Sequence, residues 1–358
     1  MFKIIREIHN SLFPKLVLIL IVFLSIEFSF KARRFIIYCY GNKACDFFVD
    51  VLKIKEGATL GLSTHDEKLG YVSKPNLNIN INNYGWDNIN LKTIEYGIRY
   101  DENNNNPKDV LVVGESSAFG AQVKNNQTWQ SCLNRKQSKF NFINAAVFGY
   151  GPGLSYLRAK NLSDNFKTEL IILSTLIGAG AERDKLSFAG GKPTASIIKT
   201  KNGLTFANPP NPDIVGSIFS DKKPNIISYI FAFSDLISEY QPIHRRLVSK
   251  NLKLVHPNSA SEEEILPWII KKTKNFKVPF LWVIQYQSKL TEKMKNEREF
   301  LIQELKKNNV DFVDSYDYVH GKKSVFTKNE LWDMHHTYQG NEQVCIAIFN
   351  HLNNKLIK

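Results

Sequence analysis

From Lys108 onward the chain repeats one pattern: a short, nearly unbroken apolar run that stops at a glycine, followed by a stretch with helical character. "VLVVG" comes first, and "FNFINAAVFG" and "ELIILSTLIG" follow it, each ending in glycine. Apolar runs bounded by turn signals read as strands covered on both faces, the condition met in parallel sheets with helices on either side. Later segments keep the alternation of strand and helix without the closing glycine. "SEEEILPWIIKKTKNFK" opens with Ser261 and Glu264 in capping-box spacing and leads into the strand "VPFLWVIQY". "KMKNEREFLIQELKKNN" then leads into "VDFVDSY". Strands alternating with helices of this length predict an α/β domain over residues 108–358.

Two further segments precede that domain. Residues 1–34 contain "LFPKLVLILIVFLSIEFSF", Leu12 to Phe30, which is apolar except for Lys15 and Glu27. It is just long enough to cross a hydrocarbon core as a helix. "KARRF" after Phe30 is a poor cleavage site, so an uncleaved N-terminal membrane anchor is expected rather than a signal peptide. Basic residues flank both ends and leave the orientation undecided by charge. Long domains translocate largely regardless of charge, which favours a periplasmic or otherwise extracytoplasmic location for the bulk of the chain. Residues 35–107 are expected to form a juxtamembrane region of irregular and β structure. Alternation in "NLNININNYGWDNIN" suggests short strands and turns there. Residues 188–260, rich in Pro, Asn and Ser, read as a long excursion over the active face or as a lid.

The formal charge of +13 comes from Lys and Arg scattered along the chain. It describes a solvated basic surface, or one suited to anionic membranes or acidic glycans. There is no zinc-ligand spacing, RNP-like aromatic motif or basic heptad, so no nucleic-acid partner is expected. Cys39, Cys45, Cys132 and Cys345 are too few for a disulfide framework. Cys39 and Cys45 are close enough in sequence to be bridged, with two isolated thiols as the alternative, and the redox compartment stays open.

The chemistry-bearing residues sit at the two ends of the α/β domain. "VVGESSAFG" places Ser116 where the first strand turns sharply, and sites in α/β sheets lie at the carboxyl ends of strands. A serine hydroxyl becomes a useful nucleophile when an imidazole takes its proton and an acid holds that imidazole in the right tautomer. "LWDMHHTYQGNE" supplies Asp333, His335 and His336 before what reads as the last helix. Each element alone has a plainer reading: a serine after a strand is commonly a turn or cap, and an Asp-Met-His-His cluster can be a surface patch or metal site.

Taken together, "GESSAFGAQV" with "TWQSCL", "FINAAVFGYGPG", and "DMHHTYQGN" resemble three ordered blocks of the SGNH (GDSL-type) hydrolase superfamily. "LGYVSKPN" and "YGIRY" are similar to the lead-in of membrane-anchored bacterial members. The resemblance implies a three-layer parallel sheet flanked by helices (SGNH/flavodoxin-like) and a serine esterase or acyl hydrolase without a metal or organic cofactor. It makes Ser116, rather than Ser117, the nucleophile, with its N–H and that of Gly149 in the oxyanion hole. His335 is favoured over His336 as the base, with Asp333 orienting it, and His336 is left to cap the helix or face substrate.

Two departures stand out. Glu115 occupies the usual Asp position, and "GAGAERDK" puts Arg183 beside Asp184 where an Asn is common. Arg183 is the candidate third oxyanion donor, or it pairs with Glu182 or Asp184. The expected substrate is an ester-bearing glycan or lipid. An O-acyltransferase on cell-envelope glycans and a catalytically silent glycan-binding or assembly module on the same fold are the alternatives.

Overall fold

The structure, a computed structural model, describes residues 14–15, 17–18, 20–25, 62–81, 86–102, 107–178, 180–186, 188–189, 192–209, 256, 258–287, 289–320, 326–327 and 335–356. One compact unit combines residues 56–212 with 255–358; a second, 1–55 with 213–254, lies almost wholly outside the described residues. So do Cys39, Cys45 and Asp333, and much of the 188–260 excursion, of which the hairpin Ile197–Thr200 with Gly203–Phe206 is described. Within the expected anchor, Leu20–Ser25 is helical, and Val17, Leu18, Leu20, Ile21, Val22 and Leu24 are exposed. Among the described residues no helix is long and apolar enough to cross a membrane.

Five strands form a single parallel sheet: β1 (Lys108–Val113), β2 (Phe140–Asn144), β3 (Thr168–Leu176), β4 (Phe280–Gln285) and β5 (Asp311–Asp314), in the order β2-β1-β3-β4-β5. These are the five apolar runs of the sequence. Six helices matter for the site: α1 (Ser116–Phe119), α2 (Trp129–Lys136), α3 (Pro152–Leu162), α4 (Glu262–Lys274), α5 (Glu292–Lys307) and α6 (Tyr338–Leu356).

Successive side chains of a strand point to opposite faces, and here both faces are covered. Val110 and Val112 of β1 pack with Trp129 and Leu133 of α2 and with Val344 and Ile348 of α6. Leu111 and Val113 pack instead with Ala159 of α3, Ile265 and Ile269 of α4 and Leu305 of α5. Removing a side chain of this size from water contributes about 1.5–3 kcal/mol, which is why a continuous apolar run settles in the middle layer. α4 starts at the expected capping box: the Ser261 N–H donates to Glu264 Oε2 at 2.9 Å.

The segment before β1 joins the same core. Strands Asn78–Ile81 and Ile89–Lys92 pair antiparallel across the asparagine-rich stretch. Ile81, Ile89 and Leu91 turn inward onto the β1 and α2 cluster. On the outer side the Asn90 amide donates to the side-chain oxygens of Asn78 and Asn80 at 3.1 and 3.0 Å. Alternation of isoleucine with asparagine thus makes a two-sided hairpin, apolar within and amide-laced without.

Candidate active site

The strand order reverses between β1 and β3, and the crevice outside the carboxyl ends of those strands is where doubly wound sheets receive ligands. β1 delivers Ser116 there, at the first position of the one-turn helix α1. Glu115 caps that turn: its Oε2 accepts the Ser117 N–H at 2.5 Å. Its Oε1 accepts the Ser174 hydroxyl of β3 at 3.2 Å, and Gln285 of β4 donates to the Ser174 Oγ at 2.9 Å. The longer acid at this position therefore caps the turn and ties three strands together. Gly120 ends the turn at φ 79°, and its N–H returns to the Ser116 carbonyl.

His335 comes from the other end of the chain. With His336 it forms a two-residue strand antiparallel to Phe326–Thr327, just before α6. Its Nε2 lies 3.1 Å from Ser116 Oγ, a contact between residues 219 apart in sequence. Neighbours on a strand face opposite ways, and His336 accordingly turns elsewhere: its Nε2 contacts the Tyr286 carbonyl at 2.9 Å. The helix-capping role goes to Thr337, whose Oγ1 accepts the Gly340 N–H at 3.2 Å. Ser117 does not compete with Ser116, since its hydroxyl is buried without a hydrogen-bond partner among the described residues.

Burial, with smaller contributions from the charges of His336 and Arg183, holds the His335 imidazole down at about 4. It is therefore neutral at pH 7, the form that can accept a proton. Its Nδ1 lies 3.2 Å from the side-chain oxygen of Gln122.

Two backbone N–H groups are the oxyanion donors expected from the sequence. Ser116 opens α1, and Gly149 sits at φ 79° in the turn after β2. Neither N–H is donated to a protein acceptor among the described residues. A Cβ at Gly149 would stand 2.8 Å from the Tyr71 hydroxyl oxygen, so both the conformation and the space select glycine.

Arg183 lies in the short helical turn Gly180–Arg183 that follows β3, and its Nη1 donates to the Tyr150 carbonyl at 3.3 Å. Among the described residues it forms no ion pair with Glu182 or Asp184. Asp184 is engaged differently: its two oxygens accept the N–H groups of Gly153 and Leu154 at 2.7 and 3.1 Å, capping α3. Burial nevertheless pushes its carboxyl up to about 7. A Cβ on Gly151 or Gly153 would approach Asp184 to 2.6 or 2.9 Å, which explains the glycines of "GYGPG".

Several supports of the site escaped the sequence reading. Arg99 of "YGIRY", almost fully buried, donates to the carbonyls of Phe119, Gly120 and Val123 and to Asn125 Oδ1. Asn341 accepts the Trp129 N–H at 3.2 Å and donates to the carbonyls of His336 and Thr337. Cys132 of α2 and Cys345 of α6 form a disulfide with a Cα–Cα distance of 6.1 Å. The two cysteines are separated by 213 residues, and no spacing rule brings such a pair together. Among the described residues no cluster of three or more His, Cys, Asp or Glu side chains could hold a metal ion.

No protein-family model matches this chain, and no curated protein matches it. Solved structures similar to it include a lipolytic protein of the G-D-S-L family from Veillonella parvula DSM 2008, at 12% identity and TM-score 0.36, covering 68% of this chain and 97% of that one. Another is the psychrotrophic esterase EstA from Pseudoalteromonas sp., at 12% identity and TM-score 0.38, covering 70% and 99%. A family 3 carbohydrate esterase of Clostridium thermocellum matches at 10% identity and TM-score 0.35, covering 70% and 98%. At such scores the likeness carries no weight for the chemistry, which rests on the geometry above.

Proposed function

We propose that this chain is a serine-dependent ester hydrolase that removes an ester-linked acyl group from a glycan or lipid. The observation that carries the reading is the 3.1 Å approach of His335 Nε2 to Ser116 Oγ. In the reaction, His335 takes the hydroxyl proton as Ser116 Oγ attacks the ester carbonyl. The unspent N–H groups of Ser116 and Gly149 receive the oxyanion, and donors of this kind are each worth about 100- to 1000-fold in rate. His335 then gives its proton to the departing alcohol, leaving an acyl group on Ser116. Water, activated by the same imidazole, attacks that acyl group and restores the serine.

Arg183, joined to the turn at Tyr150, is the proposed third contributor to the oxyanion field. Asp333, two residues before His335 and outside the described residues, is the proposed acidic partner of the base. The Cys132–Cys345 disulfide supports an oxidising, extracytoplasmic location, because cytosolic thiols are kept reduced. The apolar helical stretch around Leu20–Ser25, with its exposed side chains, supports attachment to a membrane.

A fluorophosphonate probe tests the chemistry without knowledge of the substrate. Wild type should be labelled on Ser116, and Ser116→Ala should not be labelled although it folds. A wild-type protein that stays unlabelled while retaining its fold would favour the silent binding module. Acyl release from a panel of acetylated glycans and short- and long-chain esters then assigns the substrate.

A further inference from the structure

Gln122 occupies a backbone conformation that an ordinary side chain avoids. Its φ is 66°, in the left-handed region, where any residue with a Cβ is strained. The residue is buried, so its side chain does not gain the compensation of solvent. Strain of this kind persists only where the surroundings over-determine it, and it gathers at functional sites.

Among the described residues, one guanidinium brackets Gln122. Arg99 binds the carbonyls of Phe119 and Gly120 on one side of Gln122 and of Val123 on the other. It also donates to Asn125 Oδ1 at 3.0 Å, and its own N–H is anchored on the Asn144 carbonyl at the end of β2. Carbonyls on both sides of Gln122 therefore converge on a buried cation, and the chain between them must fold back upon itself. The fold-back directs the Gln122 amide at the catalytic imidazole, Oε1 to Nδ1 at 3.2 Å.

A carbonyl oxygen only accepts hydrogen bonds. Facing it, Nδ1 carries the ring proton, and Nε2 presents its lone pair to Ser116 Oγ. We infer that Gln122 is a positioning residue that fixes His335 in the proton-accepting tautomer, and that Arg99 holds the strained loop from which it does so. The inference rests on the reading of Ser116 and His335 as nucleophile and base. It adds a neutral amide on Nδ1, which orients the ring without supplying the negative charge that an acid such as Asp333 would bring. Among the described residues, the charged or titratable groups that bear on the ring are His336 on its own strand and Arg183 from the turn after β3.

The test uses the full chain and the second-order rate of fluorophosphonate labelling as a function of pH. Gln122→Gly relieves the φ strain and deletes the amide together. It should melt at or above the wild-type temperature yet label about 100-fold more slowly. Gln122→Glu places a carboxylate on Nδ1 and stabilises the imidazolium. Its acid limb should move up by about one pH unit or more, with labelling retained on the alkaline side. Wild-type labelling by a stably folded Gln122→Gly, or an unmoved acid limb in Gln122→Glu, would overturn the assignment. Either result alongside Ser116-dependent labelling of wild type sinks only this inference. Absence of labelling in wild type sinks the catalytic reading beneath it.

Discussion

The segment carrying Ser116 is braced from close by, whereas the segment carrying His335 is braced from the far half of the chain. Around the serine, Glu115 caps its own turn, and Asn144 and Gln130 hold the Ala118 carbonyl at 3.1 and 2.6 Å. Arg99 closes the loop behind it. All of these lie between residues 99 and 144, and the ties of Glu115 through Ser174 and Gln285 reach farther. The histidine stands on a two-residue strand paired with Phe326–Thr327. What secures it is Asn341 on Trp129 and the disulfide between α2 and α6, both spanning more than 200 residues. A nucleophile can thus be placed by a local turn, while its base requires the whole domain to have folded.

The contrast can be broken most sharply at the two histidines. His335→Ala should lower the labelling rate at Ser116 by at least about 1000-fold while leaving the melting temperature near wild type. His336→Ala should do the reverse. It leaves the Tyr286 carbonyl without its partner and should cost about 1–3 kcal/mol of stability with most of the labelling retained. Burial lowers the His336 imidazole from 6.5 to about 4, so its contribution to folding is full above pH 6.5 and fades as pH falls toward 4. The variant should accordingly lose less stability than wild type over that interval. Equal loss of labelling in both variants would erase the distinction between the two rings.

The next effect in size concerns the long-range brace. Replacing both Cys132 and Cys345 by serine should lower unfolding stability by about 2–5 kcal/mol, since the bridge closes a loop of 213 residues. Denaturant titration reads that loss. If the serine segment is self-sufficient and the histidine segment is not, labelling should fail at lower denaturant than the unfolding of β1 and α1, followed by hydrogen exchange. Coincident loss would mean that the two segments are secured equally.

The smallest effect sharpens the comparison at the residue that touches both sides. Arg183 bonds the turn at Tyr150 and lowers the His335 imidazole through its charge. Arg183→Ala removes a positive charge, makes the imidazolium easier to form, and should move the acid limb of labelling from about pH 4 upward by less than about one unit. A downward shift would contradict the placement of Arg183 near the ring.

Much of the architecture was legible in the residue order. Apolar runs, three of them closed by glycine, marked all five strands, because burial on both faces leaves little room for polar alternation. Ser261 with Glu264 marked the start of α4 through a purely local exchange of hydrogen bonds. The serine was legible for the same reason, since a strand, a turn and a capping acid are neighbours in sequence. Other features lay beyond that reach. The choice between His335 and His336 depends on which face of a two-residue strand meets β1, and Gln122 looks like any loop glutamine until its φ and its distance to Nδ1 are known. Arg99, Asn341 and the Cys132–Cys345 bridge act across gaps that no periodicity encodes. Sequence by itself therefore determined the parallel sheet and the position of its candidate nucleophile, because burial and turn chemistry act between near neighbours. Only the tertiary structure decided which imidazole reaches that hydroxyl and what holds it there, because that geometry comes from contacts between distant parts of the chain.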